Sequence, residues 1–136
     1  MNKKGFTLIE VILVVAILAM LIIILVPNVF VLVEKNKEKS CNNLIKNIES
    51  STKIYVTNNK YILGIKCYNE NDPNTTIQKI TLGELVDSGD LKIEENKIIN
   101  PLTNTEVPLT NVVYVRYDCN THSFTYEVTG IDCINN

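Results

Sequence analysis

The sequence contains no tryptophan and one histidine, His122. It has no C-x-x-C pair and no paired Cys/His spacing, so a metal site has little to build on. No serine stands in a nucleophile-elbow pattern, and no glycine-rich loop of the phosphate-cradling kind occurs. Asp87, Asp90, Glu94 and Glu95 cluster, but beside a helix end and a turn. That placement suits a solvated face better than an acid/base pair, and no full oxygen-ligand loop for calcium is visible. The residues therefore point to no enzyme, no catalytic residue, no cofactor and no metal. Charge of one sign is also scarce. Thirteen Lys and Arg against fifteen Asp and Glu leave a net charge of −2, without the basic field that bulk nucleic-acid binding needs.

The sharpest absence is local. From Val11 to Val26 there is no polar residue, and the apolar run extends outward from Phe6 to Val33, interrupted by Thr7, Glu10, Pro27 and Asn28. A bilayer core of about 30 Å needs roughly 20 helical residues, so this run is long enough to span it as a helix. A secretory signal would end in an A-x-A-like site, whereas Ala16 and Ala19 are wrongly spaced and lie mid-run. A plain one-pass anchor accounts for the length but not for Glu10, because an intramembrane carboxylate needs a partner. Cleavage between Gly5 and Phe6 supplies one. Phe6 then carries a new α-amine about one helical turn from Glu10, and the amine pairs most usefully with Glu10 of a neighbouring copy, setting the register between packed helices.

The stretch "KKGFTLIEVILVVAIL" (3–18) resembles the leader and helix start of type IV pilins and the related pseudopilins. The likeness implies cleavage after Gly5 by a membrane prepilin peptidase, which also methylates the new amine of Phe6. It implies that Glu10 serves in subunit assembly and that the helix loosens near Pro27 during that process. Proline removes a donor and breaks the bond to the Ile23 carbonyl, so a kink at this point has its own physical basis. Close resemblance ends near residue 35; beyond it only the architecture is similar. Lysines flank both ends of the run, at Lys3 and Lys4 and at Lys35, Lys37 and Lys39. Charge therefore leaves the orientation undecided, and the leader resemblance puts the N-terminus on the cytoplasmic side.

After the charged "EKNKEK" (34–39) the helical period continues. Cys41, Leu44, Ile45, Ile48, Thr52, Tyr55 and Val56 make one stripe. The spacing predicts one helix from Phe6 to about Thr57, with Asn58–Asn59 as its stop. "TLGELVDSGDL" (81–91) predicts a short helix with a capping box at Thr81 and Glu84 and Gly89 past its end. "NVVYVRY" (111–117) and "SFTYEV" (123–128) alternate as a hairpin, and "KIINPLTNTEV" (97–107) is a candidate third strand. The expected fold is α+β: a long N-terminal helix, half in the membrane and half amphipathic, packed against a small antiparallel sheet. Its parts are a leader (1–5), an assembly half (6–33), an amphipathic half (34–57) and a globular head (58–136). Within the head, 58–80 reads as a variable loop with room for a short strand at 61–65, and 111–128 as the hairpin. Four cysteines in an exported domain suggest disulfides. Cys41, Cys67, Cys119 and Cys133 allow three pairings, with free thiols as the alternative; the preferred arrangement is Cys41–Cys67 and Cys119–Cys133.

The resulting expectation is a bacterial pilus subunit, held in the cytoplasmic membrane and then drawn into a cell-surface filament. Its partners would be the peptidase and methylase, other pilin subunits, the assembly platform and the membrane. Nucleic acid would enter only in a DNA-uptake role. Two rivals share parts of the pattern. One is a pseudopilin of a secretion or competence apparatus; the other is an uncleaved, monomeric membrane-anchored binding protein.

Overall fold

The computed structural model describes residues 5–67, 71 and 77–134. The first element, α1 (Leu8–Leu63), is a helix of 56 residues. The chain divides into two compact units between Asn36 and Lys37, and α1 contributes to both.

In the first unit every described side chain is exposed, from Gly5 through Asn36. Leu8, Ile9, Ile23 and the rest of the apolar run are exposed. By length and composition the helix is able to cross a membrane, and its internal hydrogen bonds meet the demand that lipid makes on a backbone. The helix assignment runs unbroken through Pro27. The Asn28 amide donates back to the Ile24 carbonyl at 3.5 Å.

In the second unit the expected stripe is the buried face of α1. Cys41, Ile48, Thr52 and Val56 are fully buried, and Leu44, Ile45 and Tyr55 pack against the same core. The facing sheet is antiparallel. It comprises β1 (Gln78–Thr81), β4 (Val112–Asp118) and β5 (Ser123–Val128) in the order β1-β4-β5, while β2 (Ile98–Ile99) and β3 (Glu106–Val107) pair separately. Opposite partners share a face. The β4–β5 register thus sets Val113, Val115 and Tyr117 beside Val128, Tyr126 and Phe124, and Ile80 of β1 lies opposite Val113. The short helix α2 (Leu82–Asp87) follows β1 directly and buries Leu82 and Leu85. This α+β arrangement is consistent with a pilin-like fold.

Several expectations need correction. The helix does not stop at Asn58–Asn59. Asn59 Nδ2 donates to the Tyr55 carbonyl at 2.9 Å, so the asparagine bonds along the helix instead of ending it. The end comes at Gly64, whose φ of +56° suits a residue without Cβ. Residues 58–63 are therefore helix, not loop, and no strand forms at 61–65. The third strand of the main sheet is β1 rather than 97–107, which forms the small β2–β3 ladder around a turn. That turn is organised by Asn100, which is buried and hydrogen-bonded at both Oδ1 and Nδ2. Its Oδ1 accepts from the Leu102 N–H at 2.8 Å, and its Nδ2 donates to the Asp132 carbonyl at 3.2 Å. Most of 68–76, where variability was expected, lies outside the described residues.

Candidate functional site

The helix start is built by four consecutive residues, Thr7-Leu8-Ile9-Glu10. The Thr7 N–H donates to Glu10 Oε2 at 2.9 Å, the Thr7 hydroxyl donates to the same oxygen at 2.9 Å, and the Glu10 N–H reaches Thr7 Oγ1 at 3.4 Å. This reciprocal pattern satisfies two donors that a helix N-terminus otherwise leaves without partners. Glu10 thus has a partner inside its own chain in Thr7, in addition to the Phe6 amine expected from the sequence. The T-x-x-E spacing is a sufficient signal for this box, as it is at Thr81 and Glu84.

Gly5 and Phe6 precede the helix. They carry no regular structure, and Phe6 is exposed. The first bond of α1 runs from the Val11 N–H to the Thr7 carbonyl at 3.3 Å, so the Gly5–Phe6 peptide lies outside the helical ladder. A protease needs an accessible bond that is not locked into a helix. Moreover, the box uses only atoms of Thr7 and Glu10, so scission after Gly5 leaves it intact. Both box bonds fall on Oε2, and among the described residues no donor is bonded to Oε1. Among the described residues Oε1 therefore has room for a further donor.

The cysteines pair as Cys41–Cys133 and Cys67–Cys119, with Cα–Cα separations of 5.5 and 5.3 Å. The preferred Cys41–Cys67 arrangement is overturned by the position of the helix end. From Cys41 to Leu63 the helix rises roughly 33 Å, and the four remaining residues to Cys67 span at most about 14 Å. Cys119–Cys133 fails for a related reason. Cys119 follows β4 at the hairpin turn, whereas Cys133 lies beyond the far end of β5. The tail instead returns to the helix, where the Asn100 amide holds the Asp132 carbonyl and sets Cys133 against Cys41.

His122 stands in the β4–β5 turn with a φ of 54°, its Nδ1 3.2 Å from the Tyr117 hydroxyl. Asp118, at the start of that turn, is held below the usual carboxylate range. The Asn120 N–H is the main cause, followed by the Thr121 hydroxyl. Among the described residues no group of three His, Cys, Asp or Glu side chains could hold a metal ion, and the Asp87/Asp90/Glu94/Glu95 cluster is no exception.

Comparison with known proteins adds one finding. The prokaryotic N-terminal methylation motif matches residues 1–26. The match supports a type IV pilin-like prepilin with a class III leader, and it points to a structural protein. The motif and the apolar helix together fit a membrane-anchored subunit that is later assembled at the surface. No curated protein and no solved structure matches the chain.

Proposed function

We propose that the chain is a pilin of a type IV pilus, cleaved between Gly5 and Phe6, methylated on Phe6 and polymerised through its N-terminal helix. The observation that carries this reading is the order of parts at the helix start. An exposed non-helical Gly5–Phe6 bond is followed by a capped Glu10 whose Oε1 takes no donor among the described residues, and that by an apolar helix whose side chains are exposed. In the membrane the Thr7 donors keep the carboxylate hydrogen-bonded, which lowers the cost of holding it there. On assembly the Phe6 amine of a neighbouring copy approaches Oε1 without dismantling the cap. Repeated contacts of this head-to-tail kind give an open filament. The apolar residues 6–33 form the filament core, 34–57 carry the head, and the head residues 58–136 face outward. Pro27 leaves the Ile23 carbonyl without its helical donor, so the helix loosens there as subunits leave the lipid.

The test is the N-terminal peptide mass of the protein from its native host. A terminus at Phe6, heavier by one methyl group, is expected; an intact leader would move the uncleaved anchored monomer to the front. A pseudopilin shares this N-terminal chemistry, so imaging separates the two. Surface filaments containing the protein are expected. Loss of secretion or DNA uptake on deletion, with no filaments, would assign it to the other apparatus.

A further inference from the structure

The two disulfides differ in what surrounds them. Cys41 is completely buried and Cys133 nearly so, at 0% and 5% exposure. The Cys41 sulfur lies 3.3 Å from Asn100 Oδ1 and 3.6 Å from the Asp132 carbonyl oxygen. A disulfide sulfur has no hydrogen to donate, so these are contacts with electron-rich oxygens, and they would repel an incoming thiolate. At the other bond Cys67 is exposed and Cys119 half-buried. The residue before Cys67 is Lys66, also exposed, whose cation attracts an anion. The residue before Cys119 is Asp118, which makes that sulfur the less favourable target.

We propose that Cys67–Cys119 is a thiol-exchange site for low-molecular-mass thiols, with Cys67 taking the incoming group, and that Cys41–Cys133 is sealed against the same reagent. Exchange rates follow access to the sulfur and the charge around it. A thiolate R–S⁻ attacks Cys67 Sγ and forms a new S–S bond. The Cys67–Cys119 bond breaks, its electron pair leaves on Cys119 Sγ, and that sulfur takes a proton from water. A second thiol attacking the mixed disulfide releases R–S–S–R and leaves two cysteine thiols, a balanced two-electron reduction.

The opening is local because little else depends on this bond. Among the described residues, Cys67 is tied to the sheet, apart from the disulfide, by an isolated bridge to Tyr117. Cys119 lies in a turn whose flanks are held by the full β4–β5 ladder. The tail remains stapled through Cys41–Cys133. The exchange therefore needs no unfolding of the core, unlike attack on the buried bond.

The experiment uses the full-length protein in detergent micelles, reduced glutathione as the thiol, iodoacetamide as the quench and peptide mass as the readout. A glutathione adduct is expected on the Cys67 peptide, with Cys67 and Cys119 alkylated at least ~10-fold faster than Cys41 and Cys133. The double variant Cys67→Ser, Cys119→Ser should take up no adduct while its Cys41–Cys133 bond stays oxidised. Equal rates for all four cysteines, an adduct on Cys41, Cys119 or Cys133, or no reaction under native conditions would overturn the proposal.

Discussion

Thr7-Leu8-Ile9-Glu10 and Thr81-Leu82-Gly83-Glu84 are nearly the same four residues, and they fold into the same device. At the second site the Thr81 N–H donates to Glu84 Oε2 at 2.7 Å, the hydroxyl donates at 2.9 Å, and the Glu84 N–H returns to Thr81 Oγ1 at 3.2 Å. The first site repeats these bonds at 2.9, 2.9 and 3.4 Å. What differs is the helix behind each box. Behind Glu84 come Leu85 and Val86, facing a core that already holds Leu82. Behind Glu10 come side chains exposed on all sides. Local chemistry is thus identical, and the role follows from what the next turns touch. The box in the head fixes the entry of a packed helix. The box at the N-terminus holds the carboxylate of a helix whose following turns are exposed, which in the proposed reading is where a second chain arrives.

The strongest way to break this comparison is to remove each glutamate in turn. Glu10→Ala is expected to abolish filaments while leaving the thermal unfolding of the head unchanged, because among the described residues Glu10 is bonded to Thr7 of its own helix start. Glu84→Ala is expected to do the reverse: filaments persist, and the head loses up to about 1 kcal/mol as the reciprocal half of the box goes, lowering Tm by at most about 4–8 °C. Electron microscopy of the native host and calorimetry of the purified chain read the two outcomes. Normal filaments from Glu10→Ala would leave the N-terminal box with a capping role only.

A second contrast lies between the disulfides. Each closes a long loop, with sequence separations of 92 and 52 residues. Removing a native disulfide from a small domain costs about 2–5 kcal/mol, and the loop-length term makes the longer one worth about 0.5 kcal/mol more. Burial widens that gap. Cys41→Ser with Cys133→Ser leaves two hydroxyls in the core, one beside Asn100, and frees the tail. Cys67→Ser with Cys119→Ser alters an exposed position and a half-buried one. Denaturant titration should show the larger loss for the first pair; an equal or reversed order would contradict the assignment of Cys41–Cys133 as the structural staple.

Which of these features could be read from the sequence depended on how far apart the deciding atoms are. The box at Thr81 is legible because its atoms lie within four residues. The hairpin is legible because Phe124, Tyr126 and Val128 alternate with polar residues and the turn between the strands is short. The box at Thr7 carries an equal signal, but it is overlaid by the prepilin resemblance, which draws the same residues into a different reading. The helix end was misjudged because Asn59 can either stop a helix or bond back to Tyr55, and the tertiary contacts of Leu63 decide. The cysteine pairing inherited that error, since Cys67 lies within reach of Cys41 only if the helix stops early. β1 was missed because Gln78–Thr81 is four residues long and is defined by its pairing with β4 rather than by a period of its own.

The tail that carries Cys133 offers a smaller test of the staple. Gly130 has a φ of +74°, and a Cβ there would collide with the amide of Asn111. That amide donates to the Gly130 carbonyl at 3.4 Å, so the clash falls on a side chain already engaged. Gly130→Ala is expected to cost about 1–3 kcal/mol, read as a lower denaturation midpoint with an unchanged slope. If the path of residues 129–132 is what sets Cys133 against Cys41, the variant should also oxidise that pair more slowly than the wild type, while Cys67–Cys119 forms at the normal rate.

The smallest effect concerns a third carboxylate that accepts backbone N–H groups, this one in a turn instead of at a helix start. Asp118 Oδ1 takes the Asn120 N–H at 2.8 Å and the Thr121 N–H at 3.4 Å, and its acidity is raised accordingly. The folded chain binds this proton less readily than the unfolded chain, whose aspartate titrates near ~3.9. The contact therefore stabilises the fold fully above that value. The contribution declines as pH falls below it and is gone once pH passes the lower folded value. Asp118→Asn lacks the titration, so its stability should fall less steeply with acid across that window, and the two proteins should converge at the acid end. The carboxylate is open to solvent, so added salt should shrink the difference. Parallel acid limbs for the two proteins would mean that the turn is held by its backbone geometry alone, with His122 and Asn120 keeping their places without the charge.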